Sequence, residues 1–440
     1  MSPAIRAKGA GKKAFINARL LDPVKQTDET GGLLIEDDTI IKSGADVTEM
    51  SVPEGFEITD LNGACLAPGL VDMRAQLREP GFEHQETIET AGKSAAIGGV
   101  TTIIALPNTD PVIDDVAGVE FIARRARKVG LAKVFVYGAV SKGIEGREIT
   151  EMGLLHQAGA VAFCDGIKTI SSARLLRQAL SYSAFFDGMI VQHPEEPELS
   201  KGASMNSGEL ATRLGLSGVS PLAEVIQIER DLRLVEMTGG RLHFAHISTG
   251  ESVEVIRKAK KRGLKVTCDT APPYFALNEN AVSDYRTFAK LSPPLRSEDD
   301  RQAIVAGLAD GTIDAIASDH NPQDADSKRL PFAQAAAGAV GFETLLPIAL
   351  ELYHNEHMSL LEVITKLTRT PAELLRFKGA GTLNEGTAAD IVIFDPDRPW
   401  KIDPYQFHSK SKNSPFDGRL TQGRVLRTLI DGREIFTEGA

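Results

Sequence analysis

Along the 440 residues, side chains able to bind a metal, move a proton or hold an anion recur at one kind of place, the end of a short apolar run. Asp72, Arg74, Gln76 and Arg78 fall at or after Leu70–Met73, and Asn108 follows Thr101–Ala105. Asp165 follows Val161–Cys164, His193 follows Met189–Gln192, His246 follows Leu242–Ala245, and Asp319 with His320 follows Ala315–Ala317. His193, His246 and Asp319 are of the types that bind zinc or a similar divalent ion. Three protein ligands with an open position form the arrangement that turns bound water into a nucleophile near neutral pH. Their spacing is too long to specify a site alone, and a lone His or Asp at a strand end is more often a cap or a satisfied core group. Six separate runs delivering such residues to one rim favour a site. Positions 74 and 76 point the same way along a strand. They hold an arginine, permanently charged and without a lone pair, and a glutamine, a weak neutral ligand. The strand that should complete a metal centre supplies a cation instead.

A common rim requires a scaffold that brings strand ends together. With Val134–Tyr137 and Lys265–Cys268 the apolar runs number eight, separated by helical stretches such as Pro221–Glu236 and Glu251–Arg262, the latter stopped by Gly263. Eight βα units in about 250 residues match a (β/α)8 TIM barrel, whose catalytic groups sit at the carboxyl ends of its strands. The chain ends read differently. Ala14–Ala18, Gly32–Glu36 and Thr39–Lys42 are short strands. So is Asp390–Phe394, which the sequence ends at Asp395-Pro396, and Arg424–Ile430 leads to an Asp431-Gly432 turn and a last strand. Neither end has enough apolar residues for its own core. The expectation is therefore a flanking β-sandwich built from both termini, residues 1–65 plus 380–440, around a barrel at 66–379. Residues 318–340 lack a helical or strand period and are expected to form a long rim loop over the pocket.

Composition narrows the function classes. Hydrophobic residues make up 42% and charged residues 25% of the chain, ordinary for a globular protein. A net charge of −11 is the wrong sign for gripping a phosphate backbone, so nucleic acid is not expected as a partner. There is no run of eighteen apolar residues and no apolar stretch behind the basic residues of Met1 to Phe15, so neither a membrane nor export is expected. Cys65, Cys164 and Cys268 lie too far apart for a disulfide framework or a close-spaced zinc motif, which suits a reducing cytoplasm.

Seven segments carry a family resemblance: Ala67-Pro-Gly-Leu-Val-Asp72, Leu77-Arg-Glu-Pro-Gly81, Gly98-Gly-Val-Thr-Thr102, Leu106-Pro-Asn-Thr109, His246-Ile-Ser-Thr249, Pro293-Pro-Leu-Arg296 and Ser318-Asp-His-Asn-Pro322. In this order they resemble the class I dihydroorotases of the amidohydrolase superfamily, and the likeness extends to Lys410-Ser-Lys-Asn-Ser-Pro-Phe416. It implies a barrel with a β-sandwich and a metal-bound hydroxide that interconverts carbamoyl aspartate and dihydroorotate in pyrimidine synthesis. By the same resemblance Arg78 and Asn108 match substrate-binding positions, His193 and His246 match metal histidines, and Asp319 matches the aspartate that is both ligand and general base. Asp165 lies near the bridging carboxylate, although the family's Asp-Asp-Gly is here Asp165-Gly166.

Four positions depart from the family pattern. Its first-strand His-x-His is Arg74-Ala75-Gln76, its asparagine before Pro-Pro-Leu-Arg is Ser292, and its histidine four residues beyond the aspartate is Gln323. The resulting expectation is a metal-free dihydroorotase homologue in which Arg74 stands where the cation sat, neutralising Asp319 and reaching toward Asp165. Such homologues resemble the bacterial chains that partner aspartate carbamoyltransferase, and a homodimer is expected. The alternatives are an active dihydroorotase or another cyclic amidase, of the hydantoinase or allantoinase type, holding one zinc on His193, His246 and Asp319. A purely structural role is a third reading.

Overall fold

The computed structural model describes residues 11–439. All eight apolar runs become strands: Leu70–Ala75, Val100–Ala105, Lys133–Gly138, Ala162–Phe163, Met189–Gln192, Arg241–Phe244, Val266–Thr270 and Ala315–Ile316. They pair in parallel in that order. A parallel bridge between Ala75 and His320, with Gln76 N–H donating to the His320 carbonyl at 2.8 Å, brings the last strand end back to the first, so the barrel is nearly closed. These strands are continuous apolar runs because both faces are covered. Val71, Met73, Ile104, Tyr137 and Val191 fill the interior, while the outer faces meet the helices.

Helix boundaries follow local chemistry. Asp115 caps Val116–Val129, which ends at Gly130 with φ of 70°. Thr249 caps Gly250–Lys261, and the helix expected around Pro221–Glu236 spans Leu222–Thr238. The segment 318–340 is mostly loop, as expected, but contains a short helix at Ala325–Arg329, capped by the Asp324 side chain. Two lysines hold it from inside. Lys328 Nζ donates to the carbonyls of Thr287, Lys290 and Ala336, and Lys290 Nζ to those of Phe332 and Ala333.

The two chain ends share one eight-stranded sheet. Lys12–Asp22 pairs with Thr27–Glu36 and with Cys65–Pro68, which pairs in turn with Ile391–Lys401 and so reaches Leu420–Ile430. Phe15, Leu33, Leu66, Ile393 and Leu429 form its core, drawing on both termini. The first ten residues of the expected composite unit lie outside the described residues. One sequence reading is corrected: Asp395-Pro396 does not end its strand. The register shifts between Asp395 and Pro399, so the proline sits in an irregularity where no ladder hydrogen bond is required of it. The Asp431-Gly432 turn is present, with φ of 48° and 72°, the left-handed pair that a two-residue hairpin of this twist requires. Lys133, at the base of the third barrel strand, ties sheet to barrel through Asp390 at 2.7 Å and Asp431 at 2.6 Å.

Candidate active site at the barrel mouth

Strand direction brings the expected residues to one end of the barrel. Arg74, the penultimate residue of the first strand, is 2% exposed. Its Nε lies 3.5 Å from Asp319 Oδ1 and its Nη2 donates to the Gly166 carbonyl at 3.2 Å. The expected reach toward Asp165 is not made. That carboxylate accepts the Val140 and Ser141 N–H groups at 3.0 and 2.9 Å and the Ser141 hydroxyl, so both of its oxygens are turned to that loop. Two residues before Arg74, Asp72 is buried against the Ser318 N–H and hydroxyl, and burial pushes its carboxyl up to about 7.

His246 and Asp319 meet across the mouth, with Nε2 3.2 Å from Oδ1. Behind them Asp269 receives the His246 N–H at 2.8 Å and lies 3.1 Å from His243 Nε2. Burial raises the carboxyls of Asp319 and Asp269, but the imidazoles beside them more than offset it, with Arg74 adding to the effect on Asp319. Both carboxyls are held below their ordinary range. Burial lowers the His246 imidazole while Asp319 raises it, for a net rise. His246, Asp319 and Arg78 have φ of 35°, 46° and 61°. Non-glycine residues hold this left-handed conformation at a cost of about 1 kcal/mol or more, and only where their surroundings fix it.

The residues matched to substrate binding face partners within the chain. Asn108 Nδ2 donates to Gln76 Oε1 at 2.9 Å. Arg78 donates from Nη2 to Asn321 Oδ1 at 2.7 Å and from Nε to the Pro322 carbonyl at 3.3 Å, and burial pushes its guanidinium down to about 10. His193 Nε2 is 3.5 Å from the Ser292 hydroxyl and 3.7 Å from Glu195 Oε2, at the edge of a cavity of about 900 Å³ that Asp165, Lys168 and Thr169 also line. Gln323 Nε2 donates to Asn321 Oδ1 and the Ala337 carbonyl, bracing the rim loop.

Sequence reading did not single out Asp269 or Glu195. Asp269 directly follows the seventh apolar run, so the strand-end rule that found the others also reaches it, and Glu195 stands two residues beyond His193. Among the described residues, no three His, Cys, Asp or Glu side chains are grouped to hold a metal ion. Nε and Nη1 of Arg74, Nδ1 of His193 and both ring nitrogens of His246 lack an aligned hydrogen-bond partner there, so the 3.2 Å approach of His246 to Asp319 is a close contact without hydrogen-bond geometry.

Residues 63–252 match the dihydro-orotase-like family and residues 237–436 the amidohydrolase family. The dihydroorotase of Anaplasma phagocytophilum (strain HZ) is 43% identical over 429 residues, covering 96% of this chain and 95% of that protein. That of Syntrophotalea carbinolica is 44% identical over 422 residues, covering 96% and 98%. The L-hydantoinase (dihydropyrimidinase) from Arthrobacter aurescens superimposes with a TM-score of 0.86 at 26% identity, covering 98% of this chain and 97% of its own. Likeness of this extent spans the barrel and the terminal sheet together, and the chain belongs to the dihydroorotase family of amidohydrolases.

Proposed function

We propose that this chain is a dihydroorotase homologue of pyrimidine synthesis that has exchanged metal chemistry for a structural cation, and that, as a homodimer, it serves as a non-catalytic partner of aspartate carbamoyltransferase. The observation that carries the reading is the Arg74 guanidinium, buried 3.5 Å from Asp319. A divalent ion about 4 Å from a guanidinium is repelled by ~8 kcal/mol at an effective dielectric constant of about 20. The donors do not fit such an ion: Gln76 faces Asn108, Asp165 faces Ser141, and Arg74 adds positive charge where ligands would converge. Without an ion to lower its pKa, water near pH 7 is a poor nucleophile toward an amide. Gln76 and Asn321 hold the polar groups that would otherwise meet a substrate carboxylate.

A second reading, one zinc on His193, His246 and Asp319 with dihydroorotate turnover, is favoured by the unpartnered ring nitrogens of the two histidines. Metal analysis of protein purified without chelator separates the two. The first reading expects no stoichiometric metal and no turnover of dihydroorotate or carbamoyl aspartate, with co-elution alongside aspartate carbamoyltransferase of the same organism. One equivalent of zinc with chelator-sensitive turnover would establish the second.

A further inference from the structure

At the end of the barrel away from the mouth lies another cavity, of about 880 Å³. Lys133, Val161, Gly188 and Arg241 line it where the third, fourth, fifth and sixth strands begin, and Leu374, at the end of the helix Arg369–Leu374, with the segment 375–380 beyond it forms a further wall. In barrels of this kind the amino-terminal end serves stability and is filled by packing. Leu375 does fill it, joining the apolar cluster inside the strands. Outside that plug the space stays open and is of a size that takes small ligands.

Its lining combines flat apolar surface with positive charge. The Phe135 and Phe377 rings lie 4.4 Å apart at 31°, and His156 stacks on Phe186 at 5.0 Å and 23°. Lys133, Arg241, Arg376 and Lys378 face the cavity with Asp187 and Asp390, a surplus of two positive charges on a chain whose net charge is −11. The two carboxylates are engaged. Asp390 accepts two bonds from Lys133 Nζ, and Asp187 pairs with Arg376. Arg241 and Lys378 carry the remainder. Arg241 ends on the carbonyls of Asp187 and Leu374, at 2.9 and 3.0 Å, and burial without an opposing carboxylate pushes its guanidinium down. Neither Arg241 nor Lys378 makes an ion pair among the described residues. Carbonyl dipoles orient the guanidinium and leave its charge available to an anion.

The geometry points to a binding site for a small aromatic anion, its ring against the parts of the Phe135–Phe377 and His156–Phe186 pairs that line the cavity and its phosphate or carboxylate toward Arg241 and Lys378. Phosphate and carboxylate answer equally to these two cations, so the anionic group is a matter for the probes. The inference is independent of whether the mouth binds metal.

The test is calorimetry on the full chain at low salt with adenosine 5′-monophosphate, 2-naphthoate, adenosine and inorganic phosphate. At least one of the two aromatic anions is expected to bind once per chain with Kd below about 1 mM, while adenosine and phosphate bind at least about tenfold more weakly. The better of the two anions identifies the anionic group. Lys378→Glu, at an exposed side chain whose loss leaves the fold intact, should weaken that binding by about tenfold or more, and Phe377→Ala should weaken it as well. Arg147→Glu, the same charge reversal at an exposed side chain near the mouth, should leave it unchanged. Absence of saturable binding by either anion up to about 5 mM, equal affinity in Lys378→Glu, or sensitivity to Arg147→Glu in place of Lys378→Glu would overturn the site.

Discussion

Replacing Arg74 with methionine keeps an unbranched side chain and removes the charge facing Asp319. At the observed 3.5 Å, two unit charges at an effective dielectric constant of about 20 attract by ~5 kcal/mol, an upper bound on the pair. Part of this is offset because the variant no longer buries a guanidinium. Part of the compensation survives, because His246 Nε2 lies 3.2 Å from the same carboxylate oxygen. The Gly166 carbonyl, in contrast, loses its donor outright. Breaking a buried pair from one side costs about 3–5 kcal/mol, and the imidazole places Arg74→Met at the lower end, about 3 kcal/mol. Urea unfolding followed by far-UV circular dichroism and by emission of the single tryptophan, Trp400, measures it. A double-mutant cycle with Asp319→Asn isolates the pair, with an expected coupling of about 2–3 kcal/mol. Wild-type stability in Arg74→Met, or a coupling below about 0.5 kcal/mol, would show that the guanidinium does not compensate Asp319, and the surrogate-cation reading would fail.

Arg74→His with Gln76→His should restore binding of about one zinc per chain by elemental analysis before it restores turnover, because Ser292 and Gln323 stay unlike the family's residues; turnover appearing together with metal would contradict this order. Lys328→Met leaves the carbonyls of Thr287, Lys290 and Ala336 without their shared donor. A cost of about 3 kcal/mol and faster proteolytic nicking within residues 318–340 are expected, and unchanged protection would refute the role of the lysine. Burial raises the Glu86 carboxyl, but His320 and the donors from Ser409 and Thr90 outweigh it, so its pKa is lowered on folding. A depressed carboxyl contributes stability above its unfolded value, lost as pH falls through the folded one, so Glu86→Gln should flatten the stability loss on the acid side of the ordinary carboxyl value of 4.5. Parallel urea midpoints for wild type and variant across that range would count against the assignment.

The barrel was legible because parallel strands covered on both faces must be written as unbroken apolar runs, and even Ala162–Phe163 and Ala315–Ile316, two residues each, stood out as such. Residue types at the mouth were equally legible, since strand polarity alone decides which end of a run reaches the rim. Side-chain aim was not. Asp165 turns to Val140 and Ser141, and Arg78 to Asn321 and Pro322, because loops distant in sequence offer donors and acceptors that no local pattern records. The continuation of Ile391–Lys401 past Pro396 was hidden for the same reason, as a proline is tolerated there only through the partner strand's register.

The Lys133 ammonium is separated by 257 residues from Asp390 and by 298 from Asp431, and it is nearly enclosed once both are in place. On the ribosome, the third barrel strand therefore emerges with a lysine at its base whose counter-charges have yet to be synthesised. Until residue 431 leaves the exit tunnel, this end of the barrel has to remain hydrated around that charge, and sealing of the strand base against the sheet waits for the strands on either side of Asp431. Nascent chains that stop short of Asp431 are thus held in an open state at this end, recognisable to chaperones and proteases, whatever the progress of the eight strands above it.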